Sequence, residues 1–382
     1  MNGMKLSPNE IKLQNRQTVY DYIRKNDVVS KQDLVVALQL SLPTVTQNLE
    51  YLKKQGLIDT SKKIKNTGGR NATGYSCVED AKLAIGISLT GHHMNAVVVD
   101  LSGNIVALIK EREIFSLDSD EYLHKIYDVV ERIKNQVGIT EEQLLGVGIS
   151  VPGLVSEDGE TVIYGKTLNF TGKTREEIAK YIPYDNRLFH DSFVASYAEV
   201  WIDQSISNAF YINIGNSVGG AFIVDREVYA GNNHRSGEIG HMMMKTNNGK
   251  KCYCGQSGCF ETMCRATILD KETDGNLERF FNQLKDGDKK LEQIWDEYLD
   301  DLAIGIHNIC MLFDGIVIIG GHVGAYIGDY MEILYDKIDR LDPFGNKAKD
   351  YLYQCQYKIE AAAAGAALYY IDDFIKGISD EK

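Results

Sequence analysis

The sequence contains little proline and no long apolar run. Only 5 of its 382 residues are proline, and 25% are charged. This composition excludes proline-rich or low-complexity disorder and is typical of a chain that folds into two or three domains. No stretch approaches the ~20 apolar residues that a membrane span requires. The first five residues, Met1 to Lys5, also lack the basic-then-apolar pattern of a secretory signal. We therefore expect a cytoplasmic protein without a membrane partner.

Cysteine is too scarce for a disulfide scaffold, since the chain has 7 cysteines in 382 residues. Three of them, Cys252, Cys254 and Cys259, nevertheless lie close together. In a reducing compartment this spacing favours a metal site over disulfides. The others are scattered and are expected to be small buried hydrophobic residues: Cys77, Cys264, Cys310 and Cys355.

Basic residues are outnumbered overall, but they are concentrated at the start of the chain. The net charge is −13, yet residues 1–75 hold 12 Lys and Arg against 6 Asp and Glu, whereas the remainder holds 29 against 48. A local excess of positive charge is typical of proteins that bind the phosphate backbone of nucleic acids. A solvated basic surface is the alternative for this feature by itself.

Three short helices are predicted within this basic segment. Ser7, followed by Pro8 and Glu10, is a helix start, and that helix should end near Lys25. Ser30 and Ser41 are the N-caps predicted for the second and third helices. In the third helix one buried stripe is predicted from the spacing of Val45, Leu49 and Leu52.

The opposite face of the third helix carries side chains suited to DNA. Short hydroxyl and amide groups can hydrogen-bond base edges, and lysines can bind phosphates. The candidate contacts on this helix are Ser41, Thr44, Thr46, Gln47, Asn48, Tyr51 and Lys53.

Two strands joined by a basic loop are predicted to follow. Residues 57–59 and 74–77 are the strands, and residues 62–71 form a loop in which Gly68 and Gly69 precede Arg70. Two glycines allow the backbone to approach a groove, and Arg70 is the candidate for entering a narrow minor groove. Residues 1–78 are thus predicted to form a winged helix-turn-helix DNA-binding domain of α+β class. A protein-interaction module of three amphipathic helices, or a flexible glycine linker, remains an alternative.

The remainder of the chain, residues 79–382, looks duplicated. Residues 83–89 and 95–101 form one predicted strand pair, and residues 209–215 and 218–225 form a second pair of the same kind. A repeated unit of this type suggests an α/β fold of two lobes, about 79–190 and 191–382, with a ligand cleft between them.

Two motifs in the second lobe resemble those of the ROK family, named for repressors, open reading frames and sugar kinases. They are Gly237-Glu238-Ile239-Gly240-His241 and the segment from Cys252 to Glu261. The resemblance extends to residues 146–153 and 361–368 and covers the whole chain. It implies a two-lobed actin-like or hexokinase-like α/β ATPase-type fold for the body, used for sugar binding and dimerisation. The DNA-binding head is typical of the repressor branch of the family.

His241 completes a metal-binding set with Cys252, Cys254 and Cys259. One imidazole and three thiolates satisfy tetrahedral zinc, and no ligand position remains for a reactive water. We therefore predict structural Zn²⁺.

The resemblance also implies a sugar site. Asp191 stands where ROK kinases carry the base that deprotonates the sugar hydroxyl. The family's other sugar-contacting positions correspond to Asn169, Glu238, His241 and Glu261. Carboxylates and amides of this kind can accept from and donate to neighbouring hydroxyl groups.

The chain departs from the ROK kinases at their phosphate loops. The kinases begin with Asp-x-Gly-Gly-Thr, but here residues 88–92 read Ser-Leu-Thr-Gly-His. Ser217 stands where a glycine is usual, and His190 replaces an asparagine. Without the carboxylate and the Gly-Gly backbone, Mg-ATP lacks its main electrostatic partners. We therefore expect Asp191 to bind a hydroxyl without catalysing phosphoryl transfer, so that the protein is not an enzyme.

Together these features predict a sugar-responsive transcriptional regulator, most simply a repressor. As a homodimer or homotetramer it would bind a pseudo-palindromic double-stranded operator and be released by a sugar or sugar phosphate. The alternatives are an active ATP-dependent sugar kinase with a DNA-binding head, and a repressor controlled by protein docking. The sequence leaves the direction of regulation open.

Overall fold

The structure, a computed structural model, describes residues 7–64 and 72–378. The head, which we define as the described part of residues 1–78, opens with three helices, α1 (Pro8–Arg24), α2 (Lys31–Leu38) and α3 (Leu42–Lys54). Ser7 and Ser30 each form a capping box, and the Ser41 hydroxyl accepts the Thr44 N–H. All three predicted N-caps are confirmed, because each supplies a hydroxyl to an otherwise unpaired backbone donor.

Two small antiparallel strand pairs follow the helices. The strands are β1 (Ile58–Asp59), β2 (Lys63–Ile64), β3 (Ala72–Thr73) and β4 (Ser76–Cys77). β1 pairs with β4, and β2 pairs with β3. The predicted loop 62–71 is partly described: Lys63 and Ile64 form β2 rather than loop, and Gly68, Gly69 and Arg70 lie outside the described residues.

The body, residues 79–378, contains two five-stranded sheets with the same topology. Its strands are β5 (Leu83–Leu89), β6 (His93–Asp100), β7 (Ile105–Arg112), β8 (Leu144–Val151), β9 (Leu154–Val155), β10 (Val162–Tyr164), β11 (Asn186–His190), β12 (Ala209–Ile214), β13 (Val218–Val224), β14 (Glu227–Tyr229), β15 (Ile316–Gly320) and β16 (Leu352–Gln354). The sheet orders are β7-β6-β5-β8-β11 and β14-β13-β12-β15-β16. Each sheet consists of three antiparallel strands followed by two parallel ones, so the predicted duplication is confirmed.

Two long helices fill the space between the sheets. The helices of the body are α4 (Asp120–Val137), α5 (Arg175–Ile178), α6 (Asp191–Ile202), α7 (Glu261–Cys264), α8 (Thr267–Asp270), α9 (Leu277–Lys285), α10 (Lys289–Cys310), α11 (Gly321–Gly324), α12 (Met331–Asp339) and α13 (Ala361–Gly377). α13 packs on β5 and β8, α6 packs on β13, and the two helices pack on each other. None of the helices in the described ranges is apolar over a length that would cross a bilayer.

Glycine is required where α13 meets the first sheet. A Cβ atom on Gly86 would lie 1.8 Å from the Ala363 carbonyl oxygen, and one on Gly148 would lie 2.3 Å from the Ala366 carbonyl oxygen. The alanines of α13 and the glycines of β5 and β8 therefore allow helix and sheet to approach more closely than larger side chains permit.

The head is packed against the body and shares a hydrophobic core with it. Buried residues of α1 and α3 belong to the same apolar cluster as residues of α6, β6 and α13. The Arg16 side chain is almost fully buried, lies 3.5 Å from the centre of the Tyr51 ring and donates to the Ile378 carbonyl just after α13. Head and body are thus joined by a continuous packed interface, in addition to the chain that connects them.

Candidate functional site

Asp191 lies where β11 ends and α6 begins. Its Oδ1 accepts from the Ser192 N–H at 2.5 Å and the Ser192 hydroxyl at 3.1 Å, and lies 3.3 Å from His190 Nε2. Within the described residues no hydrogen bond reaches Oδ2, and the Asp191 side chain is partly exposed. One oxygen of this carboxylate is therefore anchored while the other is available to a ligand.

Glu238 and His241 are brought to the same place by glycines. Gly237 has φ +85°, and a Cβ there would lie 2.3 Å from the Gly220 carbonyl oxygen. A Cβ on Gly240 would lie 2.0 Å from the Val218 carbonyl oxygen. The segment therefore lies directly on β13, and this close contact places Glu238 in the lining of the same cavity as Asp191, while His241 contacts Tyr253 of that lining.

Glu261 is the buried acid of the site. It begins α7 and is 1% exposed, and its Oε2 has no hydrogen-bond partner in the described part of the chain. Burial, with a further contribution from the negative charge of Glu238, raises the pKa of Glu261 to about 7. A buried oxygen without a partner is costly in a folded chain unless a ligand donates to it.

Asp191 and Glu238 line what we call the carboxylate cleft, a cavity of about 30 Å³, whereas Glu261 and His241 are not among its lining residues. Its lining includes Asp191, Glu238, Ser217, Tyr164, Thr167 and Tyr253. Asn169, predicted to contact sugar, is instead exposed at a turn with φ +58° and is not among the lining residues. The structure brings Tyr164 and Thr167 of the same segment to the cleft, and the sugar contact of Asn169 stays a prediction.

Tyr253 is the main lining residue that sequence reasoning missed. It stands between Cys252 and Cys254 in the chain, and its hydroxyl lies 3.1 Å from His241 Nε2. The sequence did contain a signal for Tyr253. A residue between two clustered cysteines must lie close to the metal-binding atoms, and therefore close to His241. The direction of that side chain depends on the fold of the loop, which spacing alone does not reveal.

His241, Cys252, Cys254 and Cys259 form a compact cluster whose ligand atoms lie within 4.8 Å of one another. Cys252 Sγ is 3.7 Å from His241 Nδ1, and Cys254 Sγ is 3.7 Å from Cys259 Sγ. Ligands about 2.3 Å from a tetrahedral zinc ion would be separated by about 3.8 Å. The donor set and the two 3.7 Å pairs therefore fit a four-coordinate metal.

The two segments that correspond to the kinase phosphate loops, residues 88–92 and 215–220, contribute residues to a second, larger cavity between the lobes. It measures about 380 Å³ and is lined by His92, His93, Asn216 and His322, among others. Ser88, which replaces the kinase carboxylate, is buried in β5. Burial lowers the pKa of His322 to about 4, so this imidazole is neutral at pH 7. The cavity persists, but the acidic metal-binding group expected of a kinase is missing from β5.

The candidate DNA face of α3 is largely accessible, with one correction. Ser41, Gln47 and Lys53 are exposed, whereas Thr44 and Thr46 are half-buried. Asn48 is only 2% exposed, and its Nδ2 donates to the Thr44 carbonyl at 3.0 Å. The prediction that Asn48 contacts DNA is therefore wrong.

The reason is helical geometry. Asn48 lies three residues after Val45 and four before Leu52, and this spacing puts it inside the buried stripe. The Tyr51 ring is also not free to contact DNA, because the Arg16 guanidinium stacks on it.

The protein has two sheets of identical topology with a helix pair between them, and a cleft lies where the two lobes meet. This arrangement defines a two-lobed protein of the hexokinase-like class. The chain belongs to the ROK family, because the model of that family matches residues 84–372.

Similar proteins include both regulators and kinases. A xylose repressor of Caldicellulosiruptor bescii is 21% identical over 349 residues, which are 85% of this chain and 87% of the repressor. A ROK family transcriptional regulator, a homolog of the E. coli MLC protein, has a TM-score of 0.71 at 22% identity and covers 97% of this chain and 98% of its own.

A ROK family glucokinase from Streptomyces griseus, solved with glucose and AMPPNP, has a TM-score of 0.63 at 19% identity. It covers 75% of this chain and 98% of its own. The kinase thus aligns with three quarters of the chain, whereas the regulator aligns with nearly all of it.

Proposed function

We propose that the protein is a sugar-responsive transcriptional repressor. The observation that carries this proposal is the packing, in one hydrophobic core, of a basic head with an accessible α3 against a body whose cleft is lined by the carboxylates of Asp191 and Glu238. The xylose repressor supports it, since similarity to that protein extends over 85% of the chain. The effector is a sugar or sugar phosphate, and its binding releases the operator.

The head acts as a winged helix-turn-helix. α3 is its recognition helix, with Gln47 directed at base edges and Lys53 at phosphates, while Arg70 remains a predicted minor-groove contact. A homodimer, or a pair of dimers, places two such helices in successive major grooves of a pseudo-palindromic operator. Charge supports this orientation, because the basic head is attracted to DNA and the acidic body is repelled by it.

Gln47→Ala should weaken operator binding by about five- to a hundredfold and relax base preference, because a specific base contact is worth about 1–3 kcal/mol. Lys53→Ala should weaken binding to all duplexes and reduce the salt dependence. Fluorescence anisotropy with operator and random DNA measures both effects, and Lys289→Ala on the body is the matched control. Asn48→Ala should lower the melting temperature instead. Unchanged operator affinity in both head variants at moderate salt would refute the proposed DNA surface.

In the body, Asp191, Glu238 and Glu261 bind sugar hydroxyls. The anchored Oδ1 of Asp191 leaves Oδ2 to accept from a hydroxyl, and the unpartnered Oε2 of Glu261 can accept another. Charged acceptors make hydrogen bonds of about 1.5–3 kcal/mol. Ser88 and Ser217 weaken the phosphate loops, so the sugar is held without being phosphorylated.

Asp191→Asn should lower sugar affinity by about ten- to a hundredfold and raise the sugar concentration that releases operator, because a charged acceptor is lost. Isothermal titration with sugars and sugar phosphates, with and without operator, checks this, and Asp314→Asn on the surface is the control. The rival, an active kinase, requires ATP turnover that Asp191→Asn abolishes. Should a broad panel of sugars and sugar phosphates leave the melting temperature unchanged, control by protein docking would replace this proposal.

The metal held by His241 and the three cysteines is zinc, in a structural role. Zinc supplies a rigid crosslink when bound, since all four of its positions are taken by protein atoms. The crosslinked loop holds Tyr253 at the cleft and in contact with His241. It also fixes the start of α7 at Glu261, which lies two residues after Cys259.

The purified protein should contain about one zinc ion per chain, and Cys254→Ser should lose it and melt at a lower temperature, because folding and metal binding are coupled. Elemental analysis and thermal unfolding measure the two effects. Cys310→Ser, which changes a cysteine far from the cluster, should keep its metal. Full zinc occupancy in Cys254→Ser, or none in the wild type, would contradict the assignment.

α6 connects the cleft to the head. Asp191 is its first residue and Trp201 its eleventh, about 15 Å further along at 1.5 Å per residue. The Arg24 guanidinium of α1 lies 4.5 Å from the centre of the Trp201 ring and donates to the Leu101 carbonyl of the first lobe at 3.4 Å. Arg24 therefore spans α6 and the first lobe, and any sugar-driven shift of one against the other changes the position of α1.

Arg24→Met should leave sugar affinity and operator affinity nearly unchanged when each is measured alone, but reduce the effect of sugar on operator binding. Methionine keeps the apolar length of the side chain and removes the donor. A hundredfold release corresponds to a coupling of about 2.7 kcal/mol, and the variant should lose most of it. Arg279→Met, at an exposed arginine of α9, is the control. Full release in Arg24→Met would show that coupling takes another route.

A further inference from the structure

A third cavity, different from the one lined by His322, adjoins the carboxylate cleft. His190 and Leu154 line both this cavity and the cleft. It measures about 210 Å³ and is enclosed by β9, β11, α6, β13, β14 and α13. Both lobes therefore contribute walls. We call it the aromatic cavity, after Phe189, Phe193, Tyr229 and Tyr369 in its lining.

The walls of the aromatic cavity are predominantly apolar, with polar groups at a few positions. The Phe189 and Tyr369 rings lie 4.9 Å apart, and the Arg187 guanidinium donates to the Tyr369 hydroxyl at 2.8 Å. The Tyr229 ring is 56% exposed and is therefore accessible to a ligand in the cavity. A sugar ring has the matching character, since its C–H faces are apolar and its edge carries hydroxyls.

One polar group in this wall is without a partner. Arg187 Nε is buried and makes no hydrogen bond to the described residues, although the other nitrogens of the guanidinium donate to Tyr369 and to the Glu157 carbonyl. Because Nε has no accessible surface and lies beside Gly159, it sits behind the cavity wall, and the groups of Arg187 and Tyr369 that line the cavity are the ones a ligand can reach.

The two cavities differ in size. The carboxylate cleft has room for about one water molecule at its liquid volume of about 30 Å³, so it must open to admit a ring. The aromatic cavity is seven times larger without any movement. A ligand held only by the carboxylates would leave this adjoining apolar space unused.

We propose that the effector is a disaccharide, with one ring in the carboxylate cleft and the second ring in the aromatic cavity. This inference rests on the proposed function, because it assigns the effector class of the same site. His190 stands at the junction of the two subsites, between Asp191 and the aromatic wall, where it can contact the atoms that join the rings.

The test compares each monosaccharide with its own disaccharide by isothermal titration: xylose with xylobiose, glucose with cellobiose and maltose, and N-acetylglucosamine with chitobiose. At least one disaccharide should bind about tenfold or more tightly than its monosaccharide, since a second buried ring adds apolar contact. p-Nitrophenyl glycosides of the same sugars form a further arm, in which the second group is aromatic but carries no hydroxyls.

Tyr229→Ala removes an exposed wall, and Val228→Trp fills the cavity from β14. Both should reduce disaccharide affinity to the monosaccharide level and leave monosaccharide affinity unchanged. Tyr353→Ala is the matched control, because Tyr353 is 45% exposed on β16, the opposite edge of the same sheet. Tyr229→Ala provides a test even if Val228→Trp does not fold.

The outcomes distinguish failure of the disaccharide subsite from failure of the proposed sugar-responsive repressor. Equal affinity for monosaccharides and disaccharides, or equal loss of both in Tyr229→Ala, overturns the disaccharide subsite and leaves the sugar-responsive repressor intact. Preference for a p-nitrophenyl glycoside over every disaccharide also overturns it. Absence of binding by all these sugars overturns this inference, and it overturns the proposed sugar response as well only if the sugar phosphates also fail to bind in titration and in melting experiments.

Discussion

The close packing of α13 on the first sheet is the constraint on which the rest of the structure depends. It requires Gly86 and Gly148 in the strands, where any side chain would overlap the helix backbone. α13 in turn packs along α6, where a Cβ on Gly365 would lie 1.8 Å from the Val194 carbonyl oxygen. Because α6 carries Asp191 at its start and ends against the head, this layer of tightly packed helices determines both the position of the cleft and the placement of the head.

The cleft combines two ways of holding a side chain in place. Asp191 is positioned by secondary structure, at the junction of a strand and a helix, whereas His241 and Tyr253 are positioned by a loop that is organised around a metal-binding cluster. Glu261 links the two, since it follows that loop and is buried with one oxygen unpaired. A site built in this way is rigid in its donors. Its freedom lies in the relative placement of the two lobes, which is what a regulator needs in order to respond to a ligand.

Much of the local structure could be predicted from the sequence. The serine caps of α1, α2 and α3, the duplicated strand pairs and the metal-binding set all depend on residues close together in the chain, so local chemistry is sufficient to find them. Asn48 shows the limit of such reasoning. Its amide suggested a base contact, but its helical position places it between Val45 and Leu52, and its Nδ2 is used by the backbone of its own helix. Asn169 was assigned from family resemblance, and in the structure it is exposed at a turn and is not among the residues that line the cleft.

The sequence by itself determined the candidate metal ligands, the serine at position 88 where the kinases carry an acid, and the contrast in charge between head and body, because these are properties of residue type and spacing. Tertiary structure alone decided that Tyr253 reaches His241, that Arg24 joins the head to α6 and the first lobe, and that an aromatic cavity adjoins the carboxylate cleft. Each of these depends on residues tens to hundreds of positions apart, or on the path of an irregular loop. Their meeting results from the packing of two sheets around two helices, which no local pattern encodes.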